Sequence, residues 1–351
     1  MPWAVFNIYL PKSEKGLIPD SLLVRIAILL TMIESNLNRE IISRLSTGKP
    51  LDDLRLPLCD GRLDLRGLTF PEAVKGAEQH KHDLSNKLGR LRIFSRQISP
   101  EELVTVKGAK WNNLDFTGSK LGHLRVFSSQ ISNCKFDKCQ ISSLRIWSTS
   151  FAICSFTGAN LSGAVLGGVD KGKYNTYLDV DFSSANLSKT IYEAASFKQC
   201  LFRHAKLEKI DFQSSSFVDC EFEGELNDVL FYRHGFKGEA FPPNEMVNVD
   251  FSGAKLHHVG FRGITLDRVT LPSDDEHIIV SDYSDTIDKF APLLEQEQDR
   301  ETAKLLVGFL NIDREWIPPH VPYVLNLRDL EESVSFEAVE MLHRAMGRLA
   351  Q

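Results

Sequence analysis

The chain has 351 residues, of which 42% are hydrophobic and 25% are charged, and its formal net charge at pH 7 is −6. This length and composition are sufficient for a large core and for more than one folding unit. No apolar run is long enough to span a bilayer: the nearest, Leu17 to Ile33, contains Asp20 and Arg25. The first residues lack the basic segment and cleavage site of a signal peptide, so a cytoplasmic protein without a membrane span is expected.

The first predicted element is a long amphipathic helix from Asp20 to Leu45. Apolar residues recur there at every third or fourth position, and the pattern stops at Thr47-Gly48-Lys49-Pro50. Further apolar residues widen the stripe, so this helix is expected to be covered on more than one side. We assign residues 1–50 to an N-terminal helical cap that covers the open end of the next domain or contacts another subunit.

Residues 51–112 contain an interrupted five-residue spacing of apolar residues. The segment from Leu88 to Ser99 is nearly repeated from Leu121 to Ser132, and a weaker copy begins at Ile141. The first two copies are separated by more than the twenty residues that separate the second and third. We therefore interpret residues 51–112 as irregular early coils, with an insertion between Ser99 and Trp111.

From Leu114 to Leu166 the five-residue period is unbroken. A second, mostly smaller residue of buried type comes two positions before each member of the main series, which is Phe116, Leu121, Val126, Ile131, Phe136, Ile141, Ile146, Phe151, Phe156, Leu161 and Leu166. Residues twenty apart are alike, so four pentapeptides make one turn of a coil. Such coils stack by parallel strand pairing about 4.8 Å apart. The pattern predicts a parallel β-solenoid with a square cross-section.

Two segments, Ala159-Asn160-Leu161-Ser162-Gly163 and Ala185-Asn186-Leu187-Ser188-Lys189, match the motif A(D/N)LXX. On these residues and on its period, the chain resembles the pentapeptide repeat family. The resemblance implies an all-β fold: a right-handed quadrilateral parallel β-helix in which residues i and i−2 point inward. In this chain, N-terminal and C-terminal α-helical regions are expected to flank it.

The period breaks after Leu166, resumes at Phe182 and continues to Leu271, with loops predicted at 167–177 and 233–247. We assign residues 113–272 to the pentapeptide repeat β-helix. Inward i−2 positions hold five of the six cysteines, namely Cys134, Cys139, Cys154, Cys200 and Cys220. Residues stacked one coil apart are farther from each other than the roughly 3.8 Å between the Cβ atoms of a disulfide. The cysteines are therefore predicted to be reduced and structural.

Acidic residues dominate the chain after Ser273. Between Asp274 and Gln351 there are seventeen acidic and seven basic residues, whereas the coil from Asn113 to Leu271 has seventeen of each. The pattern predicts a helix from about Ser284 to Asn311, a proline-rich extended linker, and a last helix that carries Phe336 on its apolar stripe. We assign residues 273–351 to an acidic C-terminal helical region that covers the last coil.

No motif of a catalytic, cofactor or metal site is found. Phosphate-binding loops, nucleophile elbows, zinc-protease helices and Cys-x-x-Cys pairs are all missing from the sequence. His80 with His82, and His257 with His258, lack a third ligand of suitable spacing and are interpreted as solvated turn histidines. The sequence therefore predicts no catalytic residues, no cofactor and no bound metal.

The repeated segments place arginine and aromatic residues on one outer side of the coil. We name this set the arginine–aromatic face; it consists of Arg92, Phe94, Arg125, Phe127, Arg145 and Trp147. Arginine and aromatic residues are enriched in the energetic centres of protein interfaces, so this face is a candidate binding surface. Two structural explanations remain open: such side chains simply stack well on a solenoid, or the N-terminal helix covers them. Direct nucleic-acid binding is not expected, because the coil has no net positive charge.

The leading interpretation is a non-enzymatic, bacterial protein-interaction scaffold whose partner is unidentified. The family resemblance implies an alternative, in which the chain mimics DNA, binds DNA gyrase or topoisomerase IV and forms a homodimer through terminal helices. Mimicry of DNA requires a long acidic stripe, and the charge-balanced coil departs from that pattern. A third interpretation is a solenoid that positions an unrecognised activity in a terminal domain.

Overall fold

The computed structural model describes residues 35–70, 104–236 and 240–349. Its helices are α1 (35–47), α2 (Tyr283–Leu294), α3 (Arg300–Asn311), α4 (Leu327–Ser333) and α5 (Phe336–Leu349), with short 3-10 helices at Asp52–Leu54 and Arg314–Trp316. Its strands are β1 (Leu58–Cys59), β2 (Arg62–Asp64), β3 (Val104–Lys107), β4 (Lys110–Asn112), β5 (Leu114–Asp115), β6 (Leu124–Phe127), β7 (Gln130–Ser132), β8 (Arg145–Trp147), β9 (Ser150–Ser155), β10 (Val165–Gly168), β11 (Asn175–Asp181), β12 (Ile191–Tyr192), β13 (Ala195–Lys198), β14 (Leu201–Arg203), β15 (Leu207–Phe212), β16 (Ser215–Val218), β17 (Glu221–Tyr232), β18 (Val249–Arg262), β19 (Val269–Thr270), β20 (His277–Val280) and β21 (Tyr323–Asn326).

Parallel pairing between successive coils builds the solenoid. Strand β3 pairs with β6, and β6 pairs with β8, each time twenty residues apart. Sixteen strands join in one network in this way. The fold class predicted from the sequence is confirmed.

Columns of similar, mostly apolar side chains fill the interior, because residues i and i−2 of each pentapeptide point inward. The longest column contains seven stacked phenylalanines with neighbouring ring centroids 4.6 to 5.3 Å apart: Phe116, Phe136, Phe156, Phe182, Phe202, Phe222 and Phe251. Stacked aromatic pairs contribute about 0.5–1.5 kcal/mol beyond the burial of their surface. The five inward cysteines are buried, as their i−2 positions predicted, and they are unbridged in the structure.

The regular coil begins earlier than residue 113, where the sequence placed its start. Val104 pairs with Leu124 and Lys110 pairs with Gln130, so the described part of the segment predicted to contain an insertion, from Val104 onward, is already in register. Before it, Leu63 in β2 pairs in parallel with Leu114 in β5. At this end of the solenoid, the Trp111 indole donates a hydrogen bond to the Leu45 carbonyl of α1 at 3.4 Å.

The loop predicted at 167–177 is shorter in the structure. Thr176 pairs with Ser150 across an offset of 26 residues and with Ser196 across an offset of 20, so six extra residues precede β11. Asn175 occupies an inward position, where its amide donates to the carbonyl of Leu166 at 2.8 Å and its oxygen accepts from the Thr149 amide at 2.9 Å. The polar Asn175 can thus occupy an inward position of the coil, because the Leu166 carbonyl and the Thr149 amide beside the extra turn form hydrogen bonds with it.

The C-terminal region covers the last coil, but not with one long helix. The predicted helix from Ser284 to Asn311 is two helices, α2 and α3, and α3 starts where the Asp299 carboxylate accepts from the Thr302 amide at 3.0 Å. Strands β20 and β21 form an antiparallel pair that the sequence did not predict. Phe336, expected on the buried stripe of the last helix, is 57% exposed.

Side chains of this region replace the strand that the last coil lacks. His277 Nε2 accepts from the Leu256 amide at 3.1 Å, and the Asn326 amide donates to the Leu256 carbonyl at 2.8 Å. Asp329 accepts from the His258 amide at 2.7 Å, while burial raises the pKa of its carboxyl. His257 is only 5% exposed beneath this cap, so its interpretation as a solvated turn histidine is wrong.

Candidate partner-binding face

The structure places four residues of the arginine–aromatic face in two adjacent strands of one outer side. Arg125 pairs with Arg145 and Phe127 pairs with Trp147, as β6 stacks on β8. All four side chains are partly exposed. Arg92 and Phe94 lie outside the described residues. The neighbouring coil contributes Thr105 beside Arg125 and Lys107 beside Phe127.

The aromatic residues form a ladder that is covered at both ends. The rings of Phe127 and Trp147 are 4.4 Å apart and nearly parallel, with an interplanar angle of 5°. Lys107 Nζ lies 5.4 Å from the centroid of the Phe127 ring, a cation–π distance. Beyond Trp147 the ladder ends at Gly168, which pairs in register with it. Only the ring edges remain to face outward.

Arg125 and Arg145 have no ion-pair partner in the described part of the chain. Arg145 donates one hydrogen bond, to the Gly163 carbonyl at 3.0 Å. Burial, with a smaller contribution from the like charge of Arg125, lowers the pKa of Arg145. Two stacked guanidinium groups repel each other, and a bound anion relieves that repulsion. The site therefore has an electrostatic preference for negatively charged groups.

A turn made by the six extra residues borders this face; we name residues 169–174 the corner loop. Its backbone closes where Asp170 and Lys173 exchange hydrogen bonds of 3.0 Å. The Ser148 hydroxyl, next to Trp147, lies 2.9 Å from the carbonyl oxygens of both residues. Lys171 and Lys173 are exposed. The corner loop thus adds two lysines and one aspartate beside the aromatic ladder.

The other sides of the solenoid have mixed charge. The most acidic column outside the apolar core runs from Asp64 to Asp250 in the order Asp64, Asp115, Lys135, Ser155, Asp181, Leu201, Glu221 and Asp250, and Asp115 in it is buried. Lys135, Ser155 and Leu201 interrupt the carboxylates, and Arg203 binds Glu221 at 2.6 Å. No described outward column is a continuous acidic stripe.

The periodicity and the coil geometry agree with a known family. The sequence profile of pentapeptide repeats matches residues 181–219 with eight copies. The coil is a pentapeptide repeat solenoid. No curated protein sequence matches the chain.

Three solved pentapeptide structures illustrate the likeness. A trypsin-treated form of QnrB1, a plasmid-mediated fluoroquinolone resistance protein, is 13% identical over 45% of this chain and 82% of its own, with a TM-score of 0.22. HetL, involved in heterocyst differentiation regulation in Nostoc sp. strain PCC 7120, is 13% identical over 48% of this chain and 90% of its own, at 0.21. A pentapeptide repeat protein of the Arabidopsis thaliana thylakoid lumen is 17% identical over 43% and 64%, at 0.15. At such low values, none of these neighbours defines a role for this chain.

Sequence reasoning missed Lys107 and the corner loop. Lys107 lies twenty residues before Phe127, a spacing that was visible in the sequence but was hidden by the closer match to residues 88–99. From the sequence, the corner loop is indistinguishable from any other turn. Only the register of β11 shows that the loop lies beside the aromatic ladder. In the described ranges no helix is long and apolar enough to cross a membrane. The same residues contain no group of three or more potential ligands arranged to hold a metal ion.

Proposed function

We propose that this pentapeptide repeat protein is a non-enzymatic scaffold that binds a partner protein through the arginine–aromatic face. The observation that carries the proposal is the registered pair of ladders, Arg125 with Arg145 and Phe127 with Trp147. A rigid coil holds these side chains in fixed positions, so little conformational entropy is lost when a partner binds. Arginine and tryptophan side chains are enriched in the energetic centres of protein interfaces.

DNA mimicry with gyrase or topoisomerase IV as the partner is the second candidate, and the charge distribution disfavours it. Lysine, serine and leucine interrupt the most acidic described column, whereas phosphate mimicry needs closely spaced negative charge along one side. Homodimerisation through the terminal helices and a cytoplasmic location remain predictions.

Affinity capture from a bacterial lysate with matched variants tests the proposal. The face variant carries Arg125→Glu, Arg145→Glu and Trp147→Ala. The control carries Lys110→Glu, Lys198→Glu and Leu178→Ala on the neighbouring side, and therefore the same change in charge and a similar loss of exposed apolar surface. We expect at least one protein to be captured by the wild type and by the control but lost with the face variant. Gyrase subunits are scored among the captured proteins.

An identical set of captured proteins for all three baits would show that the face binds no partner. Gyrase within that shared set would in addition support the second candidate. Both variants are expected to fold, because the substituted side chains lie on the outside of the coil. Circular dichroism and thermal unfolding check this expectation.

A further inference from the structure

Within the described residues, three successive coils present cations and no carboxylate on the side of the arginine–aromatic face. The outward residues of β3, β6 and β8 on that side, with the corner residues that follow them, are Thr105, Lys107, Gly108, Arg125, Phe127, Ser128, Arg145, Trp147 and Ser148. The whole chain has a net charge of −6, so this local excess of positive charge does not follow from composition.

The corner loop increases this charge at one edge of the face. Lys171 and Lys173 are exposed, and Asp170 is the only carboxylate in the loop. Because Ser148 holds the loop at the corner beside Trp147, the two lysines lie next to the aromatic ladder. The described face and the corner loop together have five cations and one anion.

The aromatic ladder disfavours a nucleic acid as the ligand. Bases bind proteins by stacking on free ring faces, and the ring faces of this ladder are in use. Phe127 is covered by Lys107 and Trp147, and Trp147 is covered on its far side by Gly168. The edges that point outward carry the positive end of the ring quadrupole, which suits carboxylate oxygens.

We propose that Arg125, Phe127, Arg145 and Trp147, with Lys107 and the corner loop, bind an extended, carboxylate-rich segment of a partner protein. The proposal rests on the scaffold function proposed above and specifies the chemistry of the partner. The backbone positions of Arg125 and Arg145 are paired one coil rise apart, about 4.8 Å, so both side chains can reach one extended acidic segment. Within each coil, the arginine and the aromatic residue are two positions apart. This spacing matches that of alternate side chains in an extended segment.

A binding measurement with a labelled peptide tests this inference. The probe is a fluorescein-labelled peptide of about ten residues with glutamate at alternate positions, which an extended chain presents on one side. The comparison probes are the corresponding lysine peptide and a single-stranded oligonucleotide of similar charge. Fluorescence anisotropy is recorded with the wild-type full-length chain, Arg125→Glu/Arg145→Glu, and the control Lys110→Glu/Lys198→Glu, which changes the net charge equally.

We expect the glutamate peptide to bind the wild type and the control, and affinity to fall about tenfold or more in Arg125→Glu/Arg145→Glu. That variant is also expected to gain affinity for the lysine peptide. Equal losses of affinity for the glutamate peptide in the two double variants would show that binding depends only on net charge, and would overturn the proposal. Tighter binding of the oligonucleotide, lost with the arginines, would overturn it in favour of a nucleic acid.

The peptide-binding measurement and the affinity capture test the two proposals separately. If a protein is captured through the face but the glutamate peptide does not bind, the scaffold function stands and the acidic class of partner is wrong. If the glutamate peptide binds through the arginines but no protein is captured through the face, the anion-binding surface stands and the scaffold function is wrong.

Discussion

A single glycine determines where the aromatic ladder ends. A Cβ atom at Gly168 would lie 2.6 Å from Trp147 Cδ1 and would also meet the Ile146 carbonyl oxygen. Only glycine therefore lets β10 stack directly on β8 at this position. The indole of Trp147 is held between Gly168 and Phe127, which fixes the ring edge that the candidate site presents to a partner.

Because the thiol of Cys139 is buried, the protein is expected to lose stability at alkaline pH. Cys139 is fully buried, its thiol donates to the Phe116 carbonyl at 2.9 Å, and burial raises the pKa of this thiol from 9.0 to about 12. Because the folded-state pKa is raised, the contribution of this thiol is complete below pH 9 and is lost as the pH rises towards 12. Between these values the free energy of unfolding should fall by about 1.4 kcal/mol per pH unit for this group.

Urea unfolding of the wild type and of Cys139→Ala from pH 8 to pH 11, in reducing agent, measures this effect. The variant lacks the titrating group, so the curve of its unfolding free energy against pH should be flatter above pH 9. Parallel curves for the two proteins would show that Cys139 ionises as readily in the folded state as in the unfolded state.

Inward residues were predictable where they are apolar and periodic, and not where they are polar. Phe136 and Phe156 follow from the five-residue period alone. Asn175 was placed in a loop, because an amide in an inward position contradicts the apolar pattern until its backbone partners are known. The burial of His257 depends on Asn326 and Asp329, about seventy residues away along the chain.

At the C-terminal end of the solenoid, a strand edge is closed by side chains instead of another coil. Leu256 has its amide bound by His277 and its carbonyl bound by Asn326. Asn326 also caps the N-terminus of α4, since its side chain accepts from the Asp329 amide at 3.1 Å. One residue therefore caps both the helix and the last coil.

Replacement of Asn326 should be more costly than replacement of an ordinary helix cap. Asn326→Ala removes the cap of α4, worth about 1 kcal/mol, and leaves the buried Leu256 carbonyl without this donor, at about 1–3 kcal/mol. Asp299→Ala is the matched control, because Asp299 caps α3 on an exposed surface. We expect a loss of about 2–4 kcal/mol for Asn326→Ala and about 1 kcal/mol for Asp299→Ala in urea unfolding. Equal losses would mean that Asn326 does not seal the coil.

The sequence pattern located helical segments better than it located their ends. Apolar spacing predicted helix from Ser284 to Asn311, but the chain breaks before Asp299, whose carboxylate caps a second helix. Strands β20 and β21 were missed because each has only four residues and its partner is more than forty residues away. Short strands paired over such distances have no local period to detect.

Across the whole molecule, the surface charge is distributed unevenly although the coils are uniform in geometry. The coil between Asn113 and Leu271 has equal numbers of acidic and basic residues, and the region after Ser273 is acidic. The sequence repeats already placed Arg125 and Arg145 on one outer side of the coil. The three-dimensional stacking adds Lys107 to that side and shows that its described residues include no carboxylate.

Site-specific photo-crosslinking in cells most directly tests whether a partner binds the arginine–aromatic face. A benzophenone amino acid is introduced either at Thr105 in β3, which pairs with Arg125 of β6, or at Lys198 in β13, on the neighbouring side. If the face is the binding surface, irradiation joins a partner protein to the Thr105 variant and leaves the Lys198 variant unmodified. Crosslinks of equal yield at both positions, or only at Lys198, would contradict the assignment.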